Sequence, residues 1–600
     1  MLSVLIMILL LFSHFLFKKK PGGKAEEIVY IRLNQAGYIP QETKMAIAFS
    51  NAPIPQKFQV MQANTKRAAY IGKAIPAEGA GWAPFTYFYR LDFSVLKKTG
   101  DYQISINDKY ISNVFHIGDN TYNGYADDLL NFMRQQRCGY NPFFDQVCHQ
   151  QDGRMMYGPL PDSSYVDVSG GWHDAGDQLK YLITGSFATA MLLKAYELTP
   201  ERFSDKVNAL GQNAANGIPD VLDEAKWGLD WIRKMHPYPG WLFHQVGDDR
   251  DHMGWKLPYR EISDYGWGKG NYRVAYFANG LPQGLKKYKS LATGIANLAG
   301  RSSAAMAIGY RIWKKIPGDT LFADHCLQSA IELYKMGKEK EGYQQGNSYG
   351  APYRYNEETW ADDMEWAAAE LFSATSDKRY LQDAIHYADM IGTTSWMEFD
   401  SVAHYQYYPF INMGHYALYS QVDQPTKSRL AGYYRSGIEK CLARGNQNIY
   451  GEGVPFIWCS NNLMVALATQ IILYEQMTGD RQYHHLLLAQ RDWLLGNNPW
   501  GTSMFMNIPR NGEYPQDVHT STWALTKKEV PGGLVDGPVY ASIYKMLQGL
   551  HLSQADEFAL FQNDYVVYHD DIGDYSTNEP TMDGTASAVL MMAWFSSNIK

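Results

Sequence analysis

Asp174 and Asp177 lie three residues apart in a short glycine-rich segment, GGWHDAGDQLKY (170–181). One aspartate here is explained as a helix N-cap, because residues 180–198 repeat apolar side chains with helical spacing and a capping carboxylate accepts free backbone N–H groups. A cap requires a single aspartate, so the second carboxylate needs another explanation. Two carboxylates this close raise the proton affinity of one of them, which suits proton-transfer chemistry.

A second acidic segment lies near the end of the chain, in YHDDIGDYSTNEPTMDGTASAV (568–589). Glu579 stands there before a last run of helical pattern, and Asp570, Asp571 and Asp574 precede it. A solvated acidic loop with a helix cap would explain the same residues. A functional role for Glu579 is the alternative, and neighbouring acids would raise the pKa of a carboxyl among them.

A third segment, NPWGTSMFMNIPRNGEYPQDVH (498–519), sets Trp500 and other apolar side chains among glycines and ends at His519. A single loop histidine is most often only exposed to solvent. The chain as a whole has 44 tyrosines and 16 tryptophans, and such residues suit surfaces that stack on flat ligands such as sugar rings. This segment is therefore a candidate ligand-binding loop.

Two cysteines and two histidines follow one another closely: Cys138, Cys148 and His149 in RCGYNPFFDQVCHQ (137–150), then His173. Two thiolates and two imidazoles make a closed tetrahedral zinc site. A Cys138–Cys148 disulfide is the alternative, but the adjacent Cys148–His149 pair and the nearby His173 favour the metal. The other three cysteines lie in apolar helical patterns and are interpreted as small buried residues.

The elements that must position these residues divide the chain in two. Residues 28–117 contain short runs rich in Val, Ile, Tyr and Phe between turn residues, which is typical of a β-sandwich. Residues 118–600 instead repeat apolar side chains with helical spacing, and several helix pairs are joined by tight turns. We therefore expect a multidomain protein, a β-sandwich followed by an all-α domain of helical hairpins in a ring or bundle.

Residues 1–20 begin with an apolar run that KKK follows, and this is the one segment whose composition suits a bilayer. It is interpreted as an export signal peptide or a membrane anchor, so we expect a secreted, periplasmic or cell-envelope protein that contacts a membrane only if this segment is uncleaved. The net charge of −8 and the lack of a long basic run exclude nucleic acid as an expected partner.

Together the motifs resemble glycoside hydrolase family 9, the endoglucanase family. GGWHDAGD near the start of the helical domain, DYSTNE near its end and NPWGTS between them occur in the order of that family's signatures. RLNQAGYIP (32–40) resembles the start of the immunoglobulin-like domain that precedes many such catalytic domains. The resemblance implies an immunoglobulin-like β-sandwich followed by an (α/α)6 barrel.

The resemblance also implies residue roles. Asp177 would be the general base that activates a water, Asp174 would orient that water, and Glu579 would be the general acid of an inverting hydrolysis. QVGDDRDHMGW (245–255) resembles the family's substrate loop. The residues expected to contact substrate are therefore Asp251, His252, His519 and the stacking Trp500.

Two metals are implied as well. Some family members carry a structural zinc, which here would be held by the cysteine–histidine cluster, and His173 would then fix the backbone before Asp174. WADDMEWAAAEL (360–371) resembles a calcium-binding helix start, with Asp362 and Asp363 as ligands. The alternative for these two acids is simple complementation of the helix dipole.

The expected function is thus endo-acting hydrolysis of β-1,4-glucosidic bonds in cellulose-like or related β-glucans. The alternatives are an exo-acting β-glucosidase or glucosaminidase, a non-catalytic glycan-binding protein, and a zinc hydrolase, although four protein ligands leave zinc no open position. One departure from the family concerns His519, which is followed by Thr520 and Ser521 where many members have a His-x-Arg pair. We therefore expect one charged substrate contact to be missing.

Overall fold

The computed structural model describes residues 28–597 except 78–80, 263, 268–270, 352 and 530. The predicted export segment, residues 1–20, lies outside the described residues. Within the described part, no helix combines the length and the apolar character needed to cross a membrane. The chain folds as a β-sandwich followed by a helical barrel, so the expected fold class is confirmed.

The sandwich is built from β1–β9, all antiparallel except for the parallel β2–β9 pair. In space the order is β1-β3-β6-β5-β4-β7-β9-β2, and β8 pairs with β7. The alternation of buried and exposed residues along β4 and β6 is what a strand with one face on a core produces. The bounds are Val29–Arg32, Gly37–Tyr38, Met45–Ser50, Lys57–Gln62, Ala68–Pro76, Tyr87–Asp92, Gly100–Ile106, Tyr110–Ile111 and Phe115–Ile117.

The barrel contains an inner ring, α2, α4, α6, α8, α10 and α14, in which each helix contacts the next and α14 contacts α2. The outer helices α1, α3, α5, α7, α9 and α11 each pack on the ring. The helix bounds, with the short α12 and α13, are α1 Tyr125–Gln136, α2 Leu182–Leu198, α3 Asp220–Met235, α4 Ala296–Trp313, α5 Thr320–Glu339, α6 Ala361–Thr375, α7 Lys378–Ile391, α8 Met413–Tyr419, α9 Gln424–Gly445, α10 Ser460–Thr478, α11 His484–Leu494, α12 Ser521–Thr526, α13 Ala541–Tyr544 and α14 Met582–Phe595.

Sequence explains which helices lie inside. α14 (MDGTASAVLMMAWF) is apolar or small on every side and is buried around almost its whole circumference. α3 (DVLDEAKWGLDWIRKM) has one apolar face and one charged face, so it covers the ring from outside. The residues singled out for chemistry precede α2 and α14, and both loops therefore meet at the N-terminal end of the inner ring.

Short strands brace the loops at this end. β10–β19 are Tyr140–Asn141, Gln146–Val147, Arg154–Met156, Lys180–Tyr181, Phe243–Val246, Val274–Phe277, Leu534–Val535, Val539–Tyr540, Val566–Val567 and Pro580–Thr581. One sheet, in the order β12-β15-β14-β13, joins the start of α2 to the loop that contains His252. A two-stranded sheet pairs β16 with β19 directly beside Glu579.

Buried polar contacts join the sandwich to the barrel. Arg491 donates to both carboxylate oxygens of Glu42, at 2.8 and 2.9 Å, and also contacts Asp492. Asn34 Nδ2 donates to Asp492 Oδ1 at 2.7 Å, and Trp82 Nε1 donates to the Phe561 carbonyl at 2.7 Å. The two parts are therefore locked by directional contacts as well as by apolar packing.

Candidate active site

A cavity of about 500 Å³, called the groove below, opens at the N-terminal end of the inner ring. It is lined by residues from the loops that precede α2, α6, α10 and α14 and from the loops around residues 252, 288, 404, 536 and 547. The lining residues used here are Asp174, Asp177, His252, Arg354, Tyr355, His404, Trp458, Cys459, Asp536, Tyr575 and Glu579. The structure thus brings the two predicted acidic segments into one site.

Asp174 is 4% exposed and lies at the base of the groove. Thr184 Oγ1 donates to its Oδ1 at 2.5 Å, and the Tyr355 hydroxyl donates to its Oδ2. Burial, followed by the nearby charges of Asp583 and Asp177, raises the pKa of this carboxyl well above its usual value. The two hydrogen bonds fix Asp174 in place and stabilise its charged form, but burial and the neighbouring carboxylates outweigh them.

Asp177 is the more exposed member of the pair and has the opposite tendency. The Leu179 N–H donates to its Oδ1 at 2.6 Å, and His252 Nε2 lies 3.2 Å from its Oδ2. Burial opposes ionisation, but the His252 charge and these hydrogen bonds outweigh it and lower the pKa of Asp177. The same contact raises the pKa of His252, whose ring stacks on Tyr353 at 4.5 Å. Asp177 is therefore an ionised carboxylate near neutral pH.

Glu579 accepts a hydrogen bond on Oε1 from the Gly176 N–H at 2.9 Å. A side chain at residue 176 would come within 2.8 Å of this oxygen, so the glycine allows the close approach. Burial, then the charges of Asp536 and Asp177, raises the pKa of Glu579 well above its usual value. One turn of chain thus holds an ionised carboxylate at 177 and a protonated carboxyl next to 176.

The acids that precede Glu579 in sequence do not surround it as expected. Asp570 accepts the backbone N–H groups of residues 516 and 517, and Asp571 accepts those of residues 553 and 554. Asp574 pairs with His569 at 2.8 Å and caps the turn at residues 576 and 577. These carboxylates shape the loop, and the charge beside Glu579 comes from Asp536 instead.

Several groove residues carry no local sequence signal. Trp458 stacks against His404, with ring centroids 5.0 Å apart, and contacts Tyr575 in a tilted arrangement at 5.6 Å. Burial lowers the pKa of His404 to about 4, so this ring is neutral. Arg354 lines the same cavity. A cluster of aromatic residues with a few polar groups is a common form of sugar-binding surface.

Only some of the residues predicted to contact substrate lie at the groove. His252 lines the groove, and His519 lies beside it, 4.6 Å from Trp255 between ring centroids. Asp251 does not face the groove: it is 2% exposed and lies 3.4 Å from Arg273 on the other side of its loop. Arginine does not follow His519, and Arg510 lies at the surface near Asp128.

Trp500 does not reach the groove either. Its ring is 2% exposed and packs edge-on against Trp82 of the sandwich at 5.6 Å and against Trp493 at 6.1 Å. Its Nε1 donates to Gln562 at 3.2 Å. The residue seals the contact between the two domains, which is why an aromatic residue stands in that loop.

The cysteine–histidine cluster forms one compact group. Ligand atoms of Cys138, Cys148, His149 and His173 lie within 4.8 Å of one another, and all four residues are buried. His173 Nε2 lies 3.2 Å from His149 Nδ1 and 4.0 Å from Cys148 Sγ. Both cysteines are free thiols. Although burial opposes it, hydrogen bonds from Cys148 and the Lys180 charge hold the pKa of Cys138 well below its usual value. This donor set fits a metal ion.

The two predicted calcium ligands diverge. Asp363 places both oxygens on Arg301, at 2.9 and 2.7 Å. Asp362 faces a different small cavity beside His415 and Asn412, and its Oδ1 has no partner there. Consecutive helical residues point about 100° apart, so these carboxylates cannot share an ion. The expectation of calcium at Asp362 and Asp363 is not supported.

Two family models match the chain. The model described as glycosyl hydrolase family 9 matches residues 122–592, and the model described as the cellulase N-terminal ig-like domain matches residues 28–110. The first match covers more than half of the chain and includes the whole groove.

The chain is also similar to named proteins. It is 25% identical over 631 residues to Endoglucanase C of Cellulomonas fimi, covering 96% of this chain and 52% of that protein. It is 25% identical over 540 residues to the xyloglucan-specific endo-beta-1,4-glucanase of Bacteroides ovatus, covering 85% of each. Among solved structures, a metagenome-derived glycoside hydrolase family 9 endoglucanase superposes with a TM-score of 0.74 and 26% identity, over 95% of this chain and 99% of that one. The chain spans about half the length of Endoglucanase C.

Proposed function

Because the chain belongs to glycosyl hydrolase family 9, we propose that it cleaves β-1,4-glucosidic bonds within β-glucan chains by single-step inversion. One observation carries the proposal. Two carboxyls in one groove have opposite tendencies, Asp177 to be ionised beside His252 and Glu579 to be protonated beside Asp536. Inverting hydrolysis requires one carboxylate as base and one carboxylic acid as proton donor.

In this mechanism Asp177 takes a proton from a water as the water attacks the anomeric carbon. Asp174, held by Thr184 and Tyr355, contacts the same water and helps to orient it. Glu579 gives its proton to the departing glycosidic oxygen, so the leaving sugar departs as a neutral alcohol. Two positioned proton transfers of this kind each accelerate a reaction by about 10²–10⁴-fold.

The substrate class follows from the groove and from the relatives. Trp458, Tyr575 and Tyr355 offer aromatic faces, while His252 and Arg354 offer hydrogen bonds, so a chain of flat, hydroxylated sugar rings fits. The relatives named above are an endoglucanase and a xyloglucan-specific endoglucanase. We therefore place the substrate among β-1,4-linked glucans.

We propose zinc as the ion of the cysteine–histidine cluster, because two thiols and two imidazoles are a structural zinc set. Cys138, Cys148, His149 and His173 would hold it, and with four protein ligands the ion would serve structure and not chemistry. His173 directly precedes Asp174, so the ion would restrain the backbone that leads to the base.

We also propose the division of the chain into a sandwich at 28–117 and a catalytic domain at 118–600, with residues 1–20 as an export segment. β9 ends at Ile117 and α1 begins at Tyr125, which supports the boundary. A polymeric glucan cannot cross a membrane, so an enzyme that acts on it must be outside the cytoplasm.

The stereochemical and product tests are direct. Proton NMR of early products from a soluble β-glucan should show the α-anomer first, because inversion converts the β-linkage. Product sizes should spread over several oligosaccharides from the first minutes. Retained configuration would contradict the mechanism, and release of a single sugar from chain ends would favour an exo-acting enzyme.

A further inference from the structure

Asp536 and Glu579 face each other across two paired strands. β16 pairs antiparallel with β19, with Val535 opposite Pro580. The ladder continues by one residue, since the Asp536 N–H donates to the Glu579 carbonyl at 2.9 Å. Side chains directly opposite on an antiparallel pair lie on the same face, about 4.5–5.5 Å apart at Cβ. Both side chains line the groove.

The two carboxyls differ in their hydrogen-bond donors. Asp536 Oδ2 accepts from Trp458 Nε1 at 2.8 Å, and its Oδ1 accepts from Cys459 Sγ at 3.1 Å. Among the described residues, Glu579 accepts from one group, the Gly176 N–H. Donors that point at a carboxylate stabilise its charged form. Asp536 is therefore better prepared to carry the negative charge of the pair.

We propose that Asp536 is a positioning residue that confines the shared proton of this carboxyl pair to Glu579. The inference rests on the proposed role of Glu579 as general acid. In this inference Asp536 keeps Glu579 protonated, and the hydrogen bonds from Trp458 and Cys459 keep Asp536 ionised.

The physical basis is that two carboxyl groups on facing positions, of which Asp536 is fully buried, repel each other when both are ionised, so the pair retains one proton near neutral pH. Burial raises the pKa of both groups; the charge of Asp536 raises that of Glu579 further, and the charges of Asp583 and Asp574 raise that of Asp536. The Cys459 thiol remains a donor, because burial and the neighbouring Asp536 raise its pKa well above its usual value. The proton then stays on the member with fewer donors, which is Glu579.

Other charges around the pair disfavour the loss of its last proton. The ionisable groups facing Glu579 from elsewhere are Asp177, Asp174 and Tyr575, and those facing Asp536 are Cys459, Asp583 and Asp574. None of these groups can carry a positive charge, so none of them stabilises a second negative charge on the pair. Among the cationic side chains of the groove, His252 pairs with Asp177 instead.

The test is the pH dependence of kcat/KM for Asp536→Asn on a soluble β-glucan. Loss of the charge should lower the pKa of Glu579, so the alkaline limb should move down by about one to two pH units. Asp536→Glu should restore much of the wild-type limb.

Asp517→Asn is the matched control. Asp517 also accepts from a tryptophan, Trp523 Nε1 at 2.9 Å, but it lies outside the groove, so its removal should leave the limb in place. If Asp536→Asn does not fold, Asp536→Ser removes the same charge with a smaller side chain and gives the same readout.

The outcomes separate the two claims. An unmoved alkaline limb in a folded Asp536 variant would overturn the inference, and so would a folded variant inactive at every pH. In both cases an inactive Glu579→Gln would leave the proposed function standing. Full activity of Glu579→Gln would instead contradict the proposed function itself.

Discussion

His252 Nε2 lies 3.2 Å from Asp177 Oδ2, and the histidine ring is stacked on Tyr353. The two partners arrive from neighbouring strands, since Asp177 precedes β13 and His252 follows β14. The contact gives the proposed base its ionised state, and it therefore sets the lower end of the working pH range.

The first prediction concerns that lower end. With His252→Asn the pKa of Asp177 should rise, because the opposing charge is lost while burial remains. Ionised Asp177 is the active form, so the acid limb of kcat/KM should move up by about one pH unit. His386→Asn, on the exposed face of α7, is the control. An acid limb that stays in place would show that His252 does not set it.

The second prediction separates the acid from the base. Asp177→Asn and Glu579→Gln should each lower kcat on β-glucan by about 10²–10⁴-fold. Aryl glycosides with acidic phenols need no proton on departure, so Glu579→Gln should recover much of its rate on them and Asp177→Asn should not. The surface variant Asp389→Asn should match wild type. Equal recovery of rate by both variants on the aryl glycosides would contradict the assignment of Glu579 as acid and Asp177 as base.

The third prediction concerns the cysteine–histidine cluster. Protein purified without chelators should contain about one zinc per chain by elemental analysis, and Cys148→Ser should lose it with a clear fall in Tm. Cys326→Ser changes a buried cysteine that lies away from the cluster, so it should keep the zinc. Zinc content unchanged by Cys148→Ser would contradict the assignment.

The fourth prediction concerns the contact between the domains. Glu42→Ala leaves Arg491 buried with half of its charge partners, and breaking a buried ion pair costs about 3–5 kcal/mol. We expect a fall of several degrees in the calorimetric transition. Asp389→Ala removes a partner of exposed Arg429 and should change the transition little. Equal transitions for the two variants would show that the contact between the domains adds no stability.

The fifth prediction concerns the substrate's physical state. No arginine follows His519, Trp500 is buried, and Arg510 lies at the surface. Fewer strong contacts are then available to lift a chain from a crystal, where each charged hydrogen bond contributes about 1.5–3 kcal/mol. Initial rates should be higher on mixed-linkage or carboxymethylated glucan than on microcrystalline cellulose. Equal rates on soluble glucan and on microcrystalline cellulose would contradict the prediction that the loop ending at His519 offers few strong substrate contacts.

The fold and the centre of the site could be predicted because their signals are local. Helical spacing and strand alternation repeat within each element, and Asp174 and Asp177 stand on one glycine-flanked turn. The cysteine–histidine cluster was predictable for the same reason, since Cys138, Cys148 and His149 lie within eleven residues of one another. Such features depend little on how distant segments pack.

The failed predictions concern the direction in which a loop side chain points. Asp251 and His252 are neighbours, yet only His252 enters the groove, because Arg273 holds Asp251 behind the loop. Trp500 is turned inward by Trp82, which is more than 400 residues earlier in the chain. Asp536 could not be identified from the sequence, because only the pairing of β16 with β19 places it opposite Glu579.

The sheet that joins β13 to β14, with Lys180 opposite Val246 and Tyr181 opposite Gln245, has a consequence for engineering. The proposed base, Asp177, lies in the loop before β13, and His252 lies in the loop after β14. A graft that carries only the turn with Asp177 into another scaffold would lack His252, which lowers the pKa of Asp177. The smallest transplantable unit therefore runs from the loop before β13 to the loop after β14 and includes α2 and α3.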